Sequence, residues 1–244
     1  MLTLYVGYDP REACVYHTFC QSVIEHASGP VQFIPLHKPM LDNFDGQQDG
    51  TNAFIYSRYL IPHLQGFEGF AIFCDGDMHV NADIYELYEL RDESKAVQVV
   101  QHNYKTSQVK KYIDTPIENY NVDYKRKNWS SVVIWNCAHP SHGILTPRFV
   151  SEAGGITLHR FQWLNDDEIG ELPTEWNWLV GEYPDRDDAK LYHHTLGSPG
   201  FTYYYDCHSS KEWNGYLLNA IHMVGEREYE TVRRAHWNHR EVAA

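Results

Sequence analysis

The sequence predicts an α/β protein built on a mostly parallel sheet, and three observations carry that expectation. Short apolar runs alternate with amphipathic stretches through the first half of the chain. The clearest run, Phe70-Ala71-Ile72-Phe73-Cys74, lies between Gly69 and Gly76, the profile of a strand buried on both faces. Asp75-Gly76-Asp77 follows at once. Two carboxylates therefore emerge where ligands gather in open α/β sheets, outside the carboxyl ends of the strands.

Each element has its own signal. Residues 2–6 read as the first strand. Arg11 to Ala27 places Ala13, Cys14, Tyr16, Phe19, Cys20, Val23 and Ile24 at helical spacing, and Gly29-Pro30 ends it. Val31 to Leu36 is a second strand. A polar loop with Asp42, Asp45, Gly46, Asp49 and Gly50 leads to a helix from about Asn52 to Leu64, capped by Thr51 or Asn52 and disturbed near its end by Pro62. After the 70–74 strand come a short helix around Ile84 to Leu90 and a strand over Ala96 to Gln101. Residues 102–128 read as a long loop, of a length often functional. Val132 to Trp135 is a further buried strand. Beyond residue 137, Pro, Gly, Trp and Asp divide the chain into short elements. Without a repeat or a linker, one domain over residues 1–244 is expected. Its α/β part reaches to about residue 101, and an irregular part from about 102 covers the sheet's carboxyl edge.

Composition narrows the function. A chain of 244 residues with 43% hydrophobic content can bury a substantial core. Mean hydropathy is −0.53, and no apolar run approaches the roughly 20 residues that span a bilayer. Met1-Leu2-Thr3-Leu4-Tyr5-Val6 lacks a basic leader, so a cytoplasmic protein without a transmembrane anchor is expected. The Asn128-Trp129-Ser130 sequon carries no weight without a secretory signal. Five scattered cysteines, Cys14, Cys20, Cys74, Cys137 and Cys207, read as reduced small hydrophobes. A net charge of −13 argues against broad binding to nucleic acid or anionic membrane. One stretch departs from that balance: Lys105, Lys110, Lys111, Lys125, Arg126 and Lys127 alternate with Tyr104, Tyr112, Tyr120 and Tyr124. It reads as a solvated loop or as a lid that binds an acceptor.

The chemistry centres on the paired carboxylates. No GxGxxG or GxxxxGK[ST] motif is present, which removes the dinucleotide and P-loop readings. Asp75 and Asp77 alone would hold a cation loosely, and a distant imidazole would complete a site. Leu191-Tyr192-His193-His194-Thr195-Leu196-Gly197-Ser198-Pro199-Gly200 offers two histidines at the end of an apolar element, followed by a turn whose amides suit anionic oxygens. Two carboxylates and one imidazole suit Mn²⁺ or Mg²⁺ carrying phosphate.

These residues fall into an order that resembles the family 8 retaining glycosyltransferases. Asn52-Ala53-Phe54-Ile55-Tyr56-Ser57-Arg58-Tyr59-Leu60-Ile61-Pro62 followed by the apolar strand and Asp75-Gly76-Asp77 is similar to the family's Tyr-x-Arg helix and Asp-x-Asp strand. Val6-Gly7-Tyr8-Asp9 matches its first strand and base-binding loop. Leu172-Pro173-Thr174-Glu175-Trp176-Asn177 resembles its late Leu-Pro-x-x-Trp-Asn segment, and His194-Thr195-Leu196-Gly197 its His-x-x-Gly. The resemblance spans roughly residues 2–201. Three family features have no clean match: an Asn-Ser-Gly, here Trp129-Ser130-Ser131; a Lys after His-x-x-Gly; and an Asp-Gln-Asp at the reacting centre.

The resemblance implies a GT-A nucleotide-sugar-binding α/β sandwich with a central mixed, mostly parallel sheet. It implies Mn²⁺ (or Mg²⁺) on Asp75, Asp77 and His194, with His193 as the alternative, and Gly76 and Gly197 shaping the site. Tyr8 would stack on the base and Asp9 would accept its N–H, beside Gly7. Arg58 would pair with a loop carboxylate or a phosphate. Asp166 or Asp167 would stand at the reacting centre, with Gln162 a second alignment. The implied reaction moves a hexose from a nucleotide-sugar, UDP-linked in most of the family, with retention. The acceptor is open: a glycan, a protein or a small molecule, with nucleic acid disfavoured by charge. Two other readings use the same residues: a catalytically inactive nucleotide-sugar or carbohydrate-binding protein on this fold, and a metal-dependent hydrolase.

Overall fold

The computed structural model describes residues 1–41, 44 and 52–221. The first half contains β1 (Leu2–Gly7), α1 (Ala13–His26), β2 (Val31–Leu36), α2 (Ile61–Leu64), β3 (Phe70–Cys74), β4 (Met78–Val80), α3 (Ile84–Tyr88) and β5 (Val97–Val99). Then follow β6 (Lys110–Lys111), β7 (Asn119–Tyr120), β8 (Val132–Asn136), α4 (Pro147–Glu152), α5 (Gly155–His159), β9 (Ile169–Glu171), β10 (Trp178–Leu179), β11 (Leu191–His193) and α6 (Ser210–Ala220).

Six strands form the main sheet in the order β2-β1-β3-β8-β5-β9. β1 runs parallel to β2 and β3, and β5 parallel to β9, while β8 is antiparallel to both its neighbours. The sheet is thus mixed and mostly parallel, as expected. The reversal of β8 follows from the connection before it. The chain leaves β5 at the carboxyl edge and carries no crossover helix back, so it enters β8 from that same edge. Ser131, just before β8, is thereby set against the end of β3, where its carbonyl accepts the Asp75 N–H at 2.9 Å.

Period-two alternation divides the core between the two faces of this sheet. Tyr5, Phe73, Val133 and Trp135 pack on one side with Phe54, Tyr59 and Phe161. Leu4, Val6, Ile72, Cys74, Val132 and Ile134 pack on the other with Phe19, Val23, Ile84 and Leu87. A second, three-stranded sheet, β10-β11-β4, extends the fold past the end of β3. α6 closes over α1 through Trp213, Leu217 and Val15.

Two expectations need correction. Instead of one helix from 52 to 64, the segment forms a 3₁₀ turn over Ser57–Leu60 and a single turn of α2 that Pro62 opens. A proline four residues on clashes with the carbonyl of Arg58 and cannot continue an α-helix. Phe54, Tyr56, Tyr59, Leu60 and Ile61 are also all buried, so the middle of the segment is enclosed, and Ala53, His63 and Leu64 meet solvent only toward its ends. Residues 102–128 are not an unstructured loop: β6 and β7 pair as an antiparallel ribbon within them. The expected polar loop around Asp42, Asp45 and Asp49 and the Thr51 cap lie outside the described residues. Among the described residues, no helix is long and apolar enough to cross a membrane.

Candidate active site

Asp75 and Asp77 leave the end of β3 as the sequence predicts. The turn between them requires Gly76, because a Cβ there would stand 2.6 Å from the carbonyl oxygen of Gly7. That close approach brings the ends of β1 and β3 together and fixes where both carboxylates point.

Asp75, Asp77 and His193 each offer a ligand atom, and these atoms all lie within 4.8 Å of one another. His193 Nε2 is 3.4 Å from Asp77 Oδ1 and 3.9 Å from Asp75 Oδ2. Asp77 Oδ1 is buried with no hydrogen-bond partner, a state that costs free energy unless a cation or proton occupies the gap. The other Asp77 oxygen accepts from the Tyr112 hydroxyl at 2.7 Å. Two carboxylates and an imidazole, with one carboxylate oxygen unclaimed, fit a divalent cation.

The imidazole is His193, and His194 is not in the cluster. β11 is a strand, so adjacent side chains face opposite ways. His193 turns toward the carboxylates. His194 turns with Tyr192 to the other side, where its Nε2 meets His79 Nδ1 at 3.2 Å and its Nδ1 meets Cys207 Sγ at 3.6 Å. The His79 ring stacks on both Tyr192 and His194. Burial there pushes the His194 pKa down to about 3, so it stays neutral. Its backbone N–H still donates to the Asp77 carbonyl at 2.9 Å. Gly197 follows with φ of +151°, and the Tyr204 ring fills the space a Cβ would need.

The shell around the cluster adds Asn177, which carried no expected role, to Arg58, which did. Asn177 Oδ1 is 3.0 Å from His193 Nδ1, while its Nδ2 donates to Ser131 Oγ at 2.8 Å. An oxygen can only accept, so Nδ1 carries the hydrogen and Nε2 faces the carboxylates, ready for a proton or a metal ion. Arg58 Nη1 pairs with Asp75 Oδ1 at 2.8 Å and also donates to the Ser130 carbonyl at 2.8 Å. Its guanidinium lies over the Phe73 ring at 4.7 Å. Arg58 thus forms the ion pair with the Asp-x-Asp loop that was one of its two expected roles.

Electrostatics separates the two carboxylates. Burial pushes the Asp75 carboxyl up to about 6, against the pull of Arg58 and reinforced by Asp77. Burial also opposes ionisation of Asp77, but the facing His193 and the hydrogen bond from the Tyr112 hydroxyl outweigh it and hold the group at about 2. Glu12, buried nearby, is raised well above the usual carboxyl range by burial and by Asp77, Asp9 and Asp75. Burial lowers the Lys111 ammonium, which Asp77 and Asp75 partly restore.

Other expected residues are placed differently. Asp9 is buried, and both its oxygens are engaged: Oδ1 by Arg11 N and Nε at 2.9 Å each, Oδ2 by Arg11 Nη2 at 2.6 Å and Ala53 N at 2.9 Å. Tyr8, next to Gly7 at the end of β1, meets Tyr16 and His37 edge-on. Asp75 opens into a cavity of about 300 Å³ lined also by Arg58, Lys111, Tyr124 and Lys127. Neither Asp166 nor Asp167 lines it. Both are exposed; Asp166 pairs with Arg126, and the Asp167 carbonyl accepts from Lys95 Nζ at 2.8 Å. Gln162 lines a further depression with Asp166. The Lys- and Tyr-rich stretch is exposed at Lys105, Lys110, Tyr120, Tyr124 and Lys125, while Tyr112 and Lys127 turn inward. Tyr112 is 1% exposed and caps the carboxylates, and the alternation of Lys and Tyr was the signal for it.

Comparison with known proteins agrees with this architecture. Protein CDI of Arabidopsis thaliana is 38% identical over 221 residues, covering 86% of this chain and 83% of the relative. No protein-family model matches the chain. The bifunctional glycosyltransferase WbbM superposes with a TM-score of 0.62 at 16% identity, over 94% of this chain and 51% of that one. Glycosyltransferase GlyE of Streptococcus pneumoniae TIGR4 gives 0.57 at 14% identity, over 89% and 61%. Galactosyltransferase LgtC, solved with donor and acceptor sugar analogues, gives 0.52 at 10% identity, over 93% and 98%. The chain therefore spans about half of WbbM and about three fifths of GlyE. These likenesses establish the fold: a mixed α/β sheet of the GT-A glycosyltransferase type.

Proposed function

The chain belongs to the family of Protein CDI of Arabidopsis thaliana, and on its GT-A-type fold we propose that it is a metal-dependent glycosyltransferase of the family 8 type. The donor is a nucleotide-sugar, a UDP-hexose by family analogy, and the sugar is transferred with retention in the cytoplasm. One observation carries this reading: Asp75, Asp77 and His193 converge on one point at the carboxyl end of β3, with Asp77 Oδ1 unclaimed.

The protein's own groups then divide the work. Asp75, Asp77 and His193 hold Mn²⁺ (or Mg²⁺), and Asn177 orients the imidazole. Bound there, the ion supplies Lewis-acid stabilisation of the charge that develops on a departing diphosphate. Arg58 keeps Asp75 ionised and aimed. Tyr112 holds Asp77 and closes the site from the β6–β7 side, which keeps water from it. The loop after Gly7, with Tyr8 and Asp9, flanks the nucleotide; because Arg11 and Ala53 already engage Asp9, its role is to shape that loop.

A thermal-shift screen of UDP, GDP and CMP sugars with and without Mn²⁺ tests the reading. Ligand at a hundredfold excess over its dissociation constant stabilises the native state by about 2.7 kcal/mol. A Mn²⁺-dependent rise with one nucleotide-sugar, absent in Asp77→Asn, is expected. A folded, Mn²⁺-binding protein that responds to no nucleotide would overturn it. Binding without sugar transfer or donor hydrolysis would instead favour the inactive binding protein, a reading to which the outlying positions of Asp166 and Asp167 lend weight.

A further inference from the structure

Resting on the transferase reading, we infer that the acceptor is an anionic carbohydrate, one carrying a carboxylate or phosphate, and that it sits in a second cavity across the Tyr124–Lys127 segment from the metal cluster. This cavity, about 590 Å³, shares Tyr124 and Lys127 with the cavity that Asp75 opens into, so one wall separates the two. A donor held at the carboxylates and an acceptor held here would meet across that wall.

The lining states the chemistry. Tyr104, Tyr124 and Trp129 present aromatic surface of the kind that receives the apolar face of a sugar ring. Lys125 and Lys127 add positive charge. A third depression continues from this cavity along Lys125 and Arg126 to Arg160. Two carboxylates oppose these cations. Asp166 is already paired with Arg126, whose guanidinium also lies over Trp129 at 5.2 Å. Glu171 is the other.

What remains forms no ion pair among the described residues, although Glu182 and Asp123 act on Lys127 through space. Lys127 Nζ donates to the Asn121 side chain and the Val122 carbonyl, neither of them charged. Arg160 Nε is buried with no hydrogen-bond partner, a donor that should have one. Lys125 makes no ion pair among the described residues. In a protein of net charge −13, a concave surface with surplus lysine and arginine concentrates anions against the overall field. Arginine with a neighbouring lysine suits carboxylate or phosphate oxygens. A neutral sugar could offer Arg160 Nε a hydroxyl oxygen, but only an anionic one also matches the surplus positive charge.

Titration calorimetry with glucuronate, glucose 6-phosphate and glucose as probes tests this. Wild type is compared with Lys125→Gln, Arg160→Gln and Asp77→Asn, each checked for fold by circular dichroism. Wild type should bind both anionic sugars, or one of them, at least about tenfold more tightly than glucose. The two probes distinguish a carboxylate acceptor from a phosphate one. Lys125→Gln, an exposed position that leaves folding intact, and Arg160→Gln should each weaken that binding several-fold. Both should leave UDP binding with Mn²⁺ unchanged, and Asp77→Asn should do the reverse. Equal affinity for glucose, no binding of either anionic sugar, or loss of anionic binding in Asp77→Asn alone would overturn the inference. Loss of UDP binding to wild type with anionic-sugar binding intact would remove the transferase reading and leave this site standing.

Discussion

Asn177 Oδ1 lies 3.0 Å from His193 Nδ1, and this contact decides which face of the imidazole the carboxylates see. The amide is locked in turn by its donation to Ser131 Oγ. Groups of this kind fix the tautomer of a ligand histidine, and their loss costs about 10–100-fold in metal affinity. Asn177→Ala should weaken Mn²⁺ binding by that factor, read by electron paramagnetic resonance titration. Asn177→Asp, which still accepts from Nδ1, should recover most of it. Equal affinity in all three proteins would refute the orienting role.

The two adjacent histidines should behave as opposites. His193→Ala should abolish Mn²⁺ binding and cost little stability. His194→Ala should leave an imidazole-sized hole beside His79 and Cys207 and lower stability by about 2 kcal/mol, with Mn²⁺ affinity nearly preserved. Paired urea melts and metal titrations read both quantities. The reverse pattern would return the ligand role to His194.

Protons and metal compete for the same atoms. Asp75, with its carboxyl pushed up to about 6, and His193 Nε2 must both be free of protons to bind a cation. Mn²⁺ affinity should therefore fall steadily as pH drops through 6. In the metal-free protein the sign for stability is opposite for the two carboxylates. Asp75 binds its proton more tightly when folded, so its contribution falls as pH rises from about 4 to about 6. Asp77, held at about 2, contributes stability that is present above about 4 and lost as pH falls toward 2. The stability of Asp75→Asn relative to wild type should accordingly shift in the variant's favour from pH 5 to pH 7.5 in the metal-free protein, whatever the loss of the Arg58 pair costs at both values, and urea melts will show whether it does.

Arg58 and Asp75 are an ion pair with little access to water, their side chains 6% and 13% exposed. Removing one partner leaves the other charge buried and alone, at a cost of about 3–5 kcal/mol. Arg58→Ala should show that loss in urea melts, and the double variant Arg58→Met with Asp75→Asn should regain most of it. A single variant as stable as wild type would mean that solvent reaches Asp75 freely.

The sequence by itself determined the sheet and the position of the chemistry. Apolar runs such as Phe70 to Cys74 and Val132 to Trp135 could only be buried strands, and Asp75-Gly76-Asp77 had to emerge at a strand's end. These are local properties, set by side-chain period and by the hydrophobic effect acting on a few consecutive residues. The tertiary structure decided everything that depends on direction and on distant neighbours. Whether His193 or His194 faced the carboxylates turned on the phase of a three-residue strand, and no composition reports a phase. Tyr112 and Lys111 reach the site because the chain after β5 returns along the carboxyl edge and reverses β8, and Asn177 because it precedes β10, which pairs with β11 beside His193. Pro62 began a helix where the periodicity suggested an end, because the enclosed rings of Phe54, Tyr56 and Tyr59 outweighed helical propensity. Asp166 and Asp167 carried the right chemistry in the right order along the chain, yet lie outside the cavity into which Asp75 opens, because order along a chain sets no distance in space.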